Sequence, residues 1–327
     1  QPWHPERKIR GIGSGLSRAG PARIPAITQA REDTRHIERP AVGMVAAAGA
    51  FLAFSIMNVL AKYLSDSMSV VEIGFYRNIV ACVPFLVAIF VFGRRDILVI
   101  RSKPHFIAIR AVLGTVTLVM TFAAYSLMPM AETAVLMFTA SLFIPVLGVV
   151  FLRERVGPWR WSAVFIGFAG VAIMLDPTGA VTTRGITIAL SAALMQAILS
   201  ILLRHLGGHE RPETITFYFF VIGMFVTGLA MPFVARGPDV SDVPQLIGIG
   251  LSGAAAQWLY SIALRNTPAA VVAVFNYSTI VWATLFGWLI WNEWPLPIVF
   301  AGSTVVILSN LLIAWREGRI RRGPKPV

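Results

Sequence analysis

The sequence has little charge and almost no cysteine. Only 13% of its 327 residues are Asp, Glu, Lys or Arg, whereas 56% are hydrophobic. Soluble domains carry about 25% charged residues, so this composition excludes an ordinary soluble domain and indicates a chain whose main solvent is lipid. The one cysteine, Cys82, lies within an apolar run. A disulfide framework and a cysteine-rich metal site are therefore excluded.

Motifs for catalysis or ATP use are also missing. No Gly-rich loop is followed by Lys-Ser or Lys-Thr, so we expect no nucleotide-driven step in this chain. Ser200 and His205 lie on either side of a helix end without a third partner, which argues against a hydrolase triad. The histidines are scattered, and no metal site is predicted. We therefore predict that the chain is not an enzyme and has no cofactor.

Positive charge is concentrated at the two ends. The net charge is +12, and the first forty residues contain eight of the 28 Lys and Arg, while the last twelve contain five. No basic stripe alternates with aromatic residues on a polar segment, so nucleic-acid binding is not expected. Residues 1–40 also lack the apolar core of a signal peptide. We predict a disordered cytoplasmic tail over 1–40 and a basic cytoplasmic tail over 316–327.

Long apolar runs occupy most of the remaining sequence. A helix needs about 20 apolar residues to cross a bilayer, and ten runs of roughly this length are separated by short polar or Pro/Gly-containing breaks. The sequence therefore predicts an all-α integral membrane protein with ten transmembrane helices. The predicted spans are 41–63, 70–92, 104–126, 130–152, 157–176, 184–204, 212–235, 243–264, 268–291 and 295–315.

The two halves of this apolar region resemble each other. A shift of 139 residues aligns Pro129 with Pro268 and Glu154 with Glu293, and the earlier helices align with a shift of 142. An odd number of spans in each repeat means that the second copy crosses the membrane in the opposite orientation. The predicted repeats of five helices each are 41–176 and 184–315.

Loop charges test this inversion independently, because Lys and Arg in short loops stay on the cytoplasmic side. With both termini cytoplasmic, Arg236 is the only basic residue in the outer loops. Lys62 and Arg184 lie at predicted outer helix ends and count against this topology, although both side chains are long enough to reach the headgroups. The inner loops contain Arg94, Arg95, Arg101, Lys103, Arg153, Arg155, Arg160, Arg204, Arg211 and Arg265.

Several polar side chains fall inside the spans, where they either bond neighbouring helices or line an aqueous cavity. Glu72 and Arg77 are five residues apart, which is too far for an ideal helical pair. Glu132 begins a span, so we expect it to occupy a solvated helix N-terminus. The candidate substrate-binding residues are Asn58, Tyr76, Arg77, Arg110, Tyr125, Gln196, Tyr218, Gln257, Tyr260, Asn276 and Tyr277.

Proline and small residues within the spans suggest bends and close helix contacts. Pro84 and Pro145 each free a backbone carbonyl, which permits either a static bend or a kink used in gating. Ala163, Gly167 and Gly170 give the fifth predicted span a small-residue face. Such a face packs against a helix of the same protomer or, alternatively, forms a homodimer contact.

The residues around the fourth and ninth spans resemble those of a known family. The segment from Tyr125-Ser-Leu-Met-Pro-Met to Phe151-Leu-Arg-Glu-Arg, repeated as Ala263-Leu-Arg-Asn-Thr-Pro to Trp291-Asn-Glu-Trp, is similar to the EamA family of the drug/metabolite transporter superfamily. The resemblance covers roughly 41–315. It implies ten helices in two inverted halves around a central cavity lined chiefly by the first, third, fourth, sixth, eighth and ninth helices.

This resemblance implies a secondary carrier in a bacterial inner membrane, with the lipid bilayer and a small-molecule substrate as its partners. The best match of function is uptake of riboflavin, or of a similar metabolite such as S-adenosylmethionine, because a site of phenols and amides suits a neutral aromatic heterocycle. Export of amino acids or other metabolites is the main alternative. A membrane-embedded enzyme or lipid-handling protein is the alternative from another class. Fold-level kinship does not fix the substrate.

Overall fold

The computed structural model describes residues 40–101, 104–152, 157–174, 182–206 and 211–320. In these ranges the chain is a bundle of α-helices without β-strands. The predicted tail over 1–40 lies outside the described residues except for Pro40. The helices are α1 (Pro40–Leu64), α2 (Val70–Phe90), α3 (Pro104–Leu127), α4 (Met130–Met137), α5 (Ala140–Leu152), α6 (Pro158–Met174), α7 (Thr183–Leu206), α8 (Pro212–Val234), α9 (Val243–Asn266), α10 (Ala269–Asn276), α11 (Ser278–Trp291) and α12 (Pro297–Ile320).

The helices are long and apolar enough to make the chain a multi-pass membrane protein. Within the described ranges, eight spans have the length and hydropathy needed to cross a bilayer, and Trp161–Met174 and Pro297–Leu312 are shorter apolar helices. Large apolar side chains such as those of Phe90 and Phe233 are 80% and 87% exposed on the outside of the bundle, where lipid would cover them. Length and hydropathy alone thus do not confirm the predicted count of ten spans.

Two of the predicted spans are each divided into two helices. The segment predicted over 130–152 contains one membrane-spanning segment, Met130–Val149, within which α4 ends at Met137 and α5 begins at Ala140. The span predicted over 268–291 is divided in the same way, between α10 and α11 at Tyr277. The prolines do not cause these interruptions, since α2 continues through Pro84 and α5 through Pro145.

The packing of the helices repeats between the first half (40–174) and the second half (182–320). Helix α1 packs against α9, and the equivalent α7 packs against α3. The same exchange relates the α3–α8 contact to α9–α2, and the α4–α7 contact to α10–α1. The pairs α2–α8 and α6–α12 join equivalent helices of the two halves. This reciprocal pattern is that of two similar units related by an approximate twofold axis.

The α6–α12 pair uses the small-residue face that the sequence indicated. A Cβ atom on Gly302 of α12 would lie 2.6 Å from the carbonyl oxygen of Gly170, and one on Gly167 would lie 2.5 Å from Leu142 of α5. The Ser309 hydroxyl also donates a hydrogen bond to the carbonyl of Ala163. The small residues of α6 therefore allow close packing within the chain.

Candidate functional site

The two helix interruptions lie at equivalent positions of the repeat and touch each other. Phe138 follows α4, Tyr277 follows α10, and the shift of 139 that aligns the two halves places one on the other. Their rings are stacked, with centroids 5.1 Å apart and an interplanar angle of 13°. The axis that relates the halves therefore passes close to this stacked pair.

Both interruptions are stabilised by the same local hydrogen bonds. The Phe138 N–H donates to the Val135 carbonyl at 3.0 Å, and the Tyr277 N–H donates to the Val274 carbonyl at 3.2 Å. Each bond spans three residues, which tightens the last turn of the helix.

A hydroxyl group follows each of these turns and satisfies another backbone carbonyl. Thr139 Oγ1 donates to the Leu136 carbonyl, and Ser278 Oγ donates to the Phe275 carbonyl, both at 2.7 Å. Carbonyl groups freed at an interruption are costly in a membrane unless the protein satisfies them. The two breaks are thus built features of the fold, and each occurs midway through its apolar segment.

Two further candidates, Asn58 and Tyr125, meet between α1 and α3. Asn58 on α1 and Tyr125 on α3 are neighbours, and the residues are 8% and 2% exposed. The Asn58 Oδ1 atom is buried and has no hydrogen-bond partner. Ile280 packs against the apolar cluster that contains Tyr125 and also against the one that Tyr277 contacts. Ile280 of α11 therefore links Tyr125 to Tyr277.

Tyr260, Asn276 and the two glutamines complete the group of candidates on the helices that surround the breaks. Tyr260 packs edge-on against Phe51 of α1, with ring centroids 6.0 Å apart. Asn276 is the last residue of α10. Gln196 and Gln257 are partly buried, and no hydrogen bond of either side-chain amide occurs within the described part of the chain.

Arg77 lies elsewhere, between α2, α8 and α9. The residue is 1% exposed, and its Nη1 donates to Asn78 Oδ1 at 2.8 Å. Its Cζ lies 5.6 Å from the ring centroid of Phe219 and 4.9 Å from that of Phe220. A Cβ on Gly253 of α9 would be 2.9 Å from Arg77 Nε. Arg77 therefore fills a packed joint between three helices.

Arg110 reaches the same aromatic residue from α3. Its Cζ is 5.1 Å from the Phe219 ring centroid, and its Nη1 donates to the Ile215 carbonyl at 3.4 Å. The Nε atoms of Arg77 and Arg110 have no hydrogen-bond partner. Neither arginine forms an ion pair with a carboxylate among the residues that the structure describes. Both side chains stay apart from the stacked pair at the helix breaks.

Tyr76 and Tyr218 do not join the central group either. Tyr76 packs beside Phe75, with ring centroids 5.5 Å apart, and against the apolar cluster around Leu64. The Tyr218 hydroxyl donates to the Leu98 carbonyl at 3.0 Å on an exposed surface. The sequence pattern grouped these phenols with the others because all of them fall in apolar spans.

One end of the bundle carries an ion pair between the two halves. Lys62 Nζ lies 2.6 Å from Glu293 Oε1 and donates to the Met128 carbonyl at 3.1 Å. The other carboxylate oxygen of Glu293 accepts from the Met130 N–H at 3.0 Å, at the N-terminus of α4, where an anion is favoured by the helix dipole. We call Lys62, the Met130 N–H and Glu293 the Lys62–Glu293 bridge.

The structure at this end of the bundle corrects two expectations from the sequence. Lys62 is only 9% exposed and pairs with Glu293, so it does not extend to the headgroups. Glu132 is 6% exposed, so the prediction of a solvated helix N-terminus is wrong, because α7 and α11 pack over α4. Glu72 and Arg77 do not pair, since Glu72 accepts backbone N–H groups from Arg236 and Gly237.

Sequence reasoning missed the two interruptions and the bridge. The shift of 139 residues contained the first signal, because it places Phe138 on Tyr277 and Thr139 on Ser278. No sequence signal shows that Asn292 adopts a left-handed conformation, with φ of 56°, that ends α11. Asn tolerates this conformation better than most residues. It turns the chain so that the Glu293 N–H donates to the Gly287 carbonyl at 3.0 Å.

The chain resembles several named transporters along most of its length. It is 28% identical over 290 residues to a riboflavin transporter of Rhizobium johnstonii, a match that covers 88% of this chain and 95% of that protein. It is 25% identical to the pseudopaline exporter CntI of Pseudomonas aeruginosa, covering 83% and 95% of the two chains. An S-adenosylmethionine uptake transporter of Rickettsia bellii is 24% identical, with 80% and 90% covered.

The model of the EamA-like transporter family matches residues 41–176 and 183–315. The two matched segments include both helix interruptions and both sides of the Lys62–Glu293 bridge. Because they account for more than half of the sequence, the chain belongs to the EamA-like transporter family.

Proposed function

We propose that this chain is a secondary transporter that moves a small metabolite across the bacterial inner membrane by alternating access. The observation that carries the proposal is the meeting of two interrupted helices, one from each half, at the Phe138–Tyr277 stack. Interrupted helices at corresponding positions of two repeats are typical of transporter binding sites near the membrane midplane. Rocking of one half against the other would expose such a site to each side in turn.

The topology in this proposal has ten spans in two inverted halves, with both termini cytoplasmic. The reciprocal helix contacts support two related units, and the arginines concentrated in alternate loops support the inversion. The pairing of Lys62 with Glu293 removes one objection, because a neutralised lysine is a weaker topology signal. The end with the Lys62–Glu293 bridge is then the outer face.

The proposed substrate is riboflavin or a similar flat, mostly neutral heterocycle taken up by the cell. The stacked rings of Phe138 and Tyr277 offer an aromatic face, and Gln196, Gln257 and the unpartnered Asn58 Oδ1 offer hydrogen-bonding groups. Small-molecule sites combine these two features. The riboflavin transporter among the relatives supports this choice.

Transport by the purified full chain in proteoliposomes tests the proposal. We expect time-dependent accumulation of radiolabelled riboflavin, and a loss of about fivefold in initial rate for Phe138→Leu or Tyr277→Leu, because an aromatic pair contributes about 1 kcal/mol. Asn276→Ala should also slow uptake. The matched control is Phe143→Leu, which removes an edge-on contact with Phe168 at 5.3 Å outside the site. Equal rates in all variants would show that the site is misplaced.

Export is the second candidate, because the pseudopaline exporter resembles the chain almost as closely. The same vesicles, loaded with a panel of labelled metabolites, distinguish the two directions. Efflux of a metabolite without riboflavin uptake would favour export. The variants at Phe138 and Tyr277 would then test the location of the site with that metabolite.

A further inference from the structure

We propose that Glu132 is a proton-binding site that controls the Lys62–Glu293 bridge: a proton taken up by Glu132 closes the bridge, and loss of that proton opens it. The inference rests on the proposed carrier function but on no particular substrate. It identifies the proton as the coupling ion and the bridge as the gate at the outer face.

Glu132 differs from the other buried carboxylates in how its oxygens are satisfied. The residue is 6% exposed, yet its Oε2 has no hydrogen-bond partner. Glu72 is fully buried, but its two oxygens accept the N–H groups of Arg236 and Gly237 at 3.1 and 3.0 Å. Both oxygens of Glu72 are therefore occupied by backbone N–H groups, whereas an oxygen of Glu132 is free to receive a proton.

The charges around Glu132 are unbalanced by one. Glu132 lies in the first turn of α4, two residues after Met130, whose N–H bonds Glu293 Oε2, and Lys62 of α1 pairs with the same Glu293. The charges of Lys62 and Glu293 therefore act on Glu132 at short range. The other packed helices add no compensating positive charge: α3 contributes the buried phenol of Tyr125, and Arg184 of α7 is exposed and forms no ion pair in the described ranges. Pro297–Leu312 of α12 has no titratable residue. Two carboxylates thus share one ammonium group.

A single proton restores the balance. With Glu132 as a neutral acid, Lys62 and Glu293 form a neutral pair, and the N–H of Met130 remains bonded to Glu293 Oε2. With Glu132 ionised, its charge repels Glu293 and competes for Lys62, and such effects are strong where water is scarce. The bridge is therefore favoured when the proton is bound.

The location of the bridge makes it suitable as a gate. It links α1 and the start of α4 in the first half to the end of α11 in the second, so separation of the halves at this end must break it. The side chains of Lys62 and Glu293 are 11% and 25% exposed, so the bridge lies at the edge of the packed bundle. A proton from outside joins the carboxylate of Glu132, and the same proton leaves to the inside after the conformational change. The substrate would be carried with it.

The accessibility of a thiol buried beneath the bridge measures whether the bridge is open, and the measurement needs no substrate. Met130 is 1% exposed beneath the bridge, and a Met130→Cys reporter keeps the backbone N–H that bonds Glu293. The reporter is placed in the full chain with Cys82→Ala, reconstituted in nanodiscs, and labelled with a maleimide from pH 5.5 to pH 8. A Val240→Cys reporter, at a residue 90% exposed, corrects for the pH dependence of the thiol reaction itself.

We expect the corrected labelling rate to rise about tenfold from low to high pH, within the usual range of coupling between two sites. Glu132→Gln, which mimics the protonated acid, should label slowly at every pH. Glu132→Asp keeps a titratable group and should keep the pH dependence. Glu72→Gln is the matched control and should behave like the parent. Size-exclusion profiles confirm that each variant is folded.

Three results would overturn the inference. They are a parent labelling rate that does not change with pH, a Glu132→Gln variant that still responds to pH, and a Glu72→Gln variant that loses the response as well. Failure to transport riboflavin would contradict only the proposed substrate, because the labelling experiment contains no substrate.

Discussion

Two regions of the membrane bundle bury positive charge, and they do so in opposite ways. Lys62 is paired with a carboxylate of the other half at 2.6 Å. Arg77 has no carboxylate partner in the described residues and instead contacts Asn78 Oδ1 at 2.8 Å and the ring of Phe220 at 4.9 Å. The first region depends on one directional ion pair near the rim, whereas the second depends on packing among helices.

This difference indicates which contact can open. Arg77 and Asn78 fill the space left by glycines on two helices of the second half, since a Cβ on Gly253 would lie 2.9 Å from Arg77 Nε and one on Gly223 would lie 2.7 Å from Asn78 Nδ2. Close-packed interfaces of this kind resist separation. We therefore expect the α2–α8 region to act as a fixed joint and the Lys62–Glu293 bridge to break and re-form.

Truncation at the fixed joint should have the largest effect on stability. Arg77→Ala removes a side chain that is 1% exposed and leaves a cavity, and comparable truncations cost about 2–5 kcal/mol. We expect the melting temperature of the detergent-solubilised protein to fall by about 5–10 °C. Differential scanning fluorimetry measures this change.

Two variants separate packing from charge in that prediction. Arg77→Met keeps most of the volume without the guanidinium and should be closer to the parent than Arg77→Ala. Val83→Ala truncates a residue that is 50% exposed on the same helix and should change the melting temperature little. If Arg77→Met were as unstable as Arg77→Ala, the guanidinium charge would matter more than its packing, and the contrast with Lys62 would disappear.

Removal of one partner from the Lys62–Glu293 bridge should have an intermediate effect. Lys62→Met or Glu293→Gln leaves a partly buried charge without its partner, and we expect a loss of about 1–3 kcal/mol because the carboxylate is partly solvated. The double variant should be more stable than the Lys62→Met variant, since neither residue of the pair is then left charged without its partner. The melting temperatures of the parent, the two single variants and the double variant form a double-mutant cycle. Additive losses would mean that the two residues do not interact.

The sequence predicted much of the fold because hydropathy and repetition depend on residue type alone. Most helix boundaries fall within a few residues of the predicted spans, and the repeat anticipated which helices correspond. The interruptions at Phe138 and Tyr277 were not anticipated, because both segments remain apolar throughout and a turn held by a Thr or Ser hydroxyl leaves no polar run.

Site residues were harder to predict because the polarity of a residue within a span does not reveal which neighbouring helix its side chain faces. Arg77 and Tyr277 looked equivalent as polar residues in apolar helices, yet one packs against Phe219 and the other stacks on Phe138. Lys62 and Glu293 are 231 residues apart. Their contact depends on how the halves pack, which local sequence does not encode.

The smallest effect is expected where ion pairs lie in solvent at the opposite end of the bundle. Asp96, in the short 3₁₀ helix Arg95–Leu98 before α3, pairs with Arg94 at 3.3 Å and with Arg211. The hydrogen bond from Arg94 and the charge of Arg211 hold the pKa of Asp96 below its ordinary value. A carboxyl whose pKa is lower in the folded state stabilises the fold above its unfolded pKa, and this contribution disappears as the pH falls through the folded pKa.

Asp96→Asn should therefore lower the melting temperature slightly at pH 7, and by much less than the loss of Lys62, because exposed ion pairs are screened by water and salt. Added salt should reduce the difference between Asp96→Asn and the parent, whereas the effect of Lys62→Met should persist. Melting curves at low and high ionic strength measure both. An Asp96→Asn effect as large and as salt-resistant as that of Lys62→Met would mean that solvent exposure does not explain the difference between the two ends, and that the bridge has no special importance for holding the halves together.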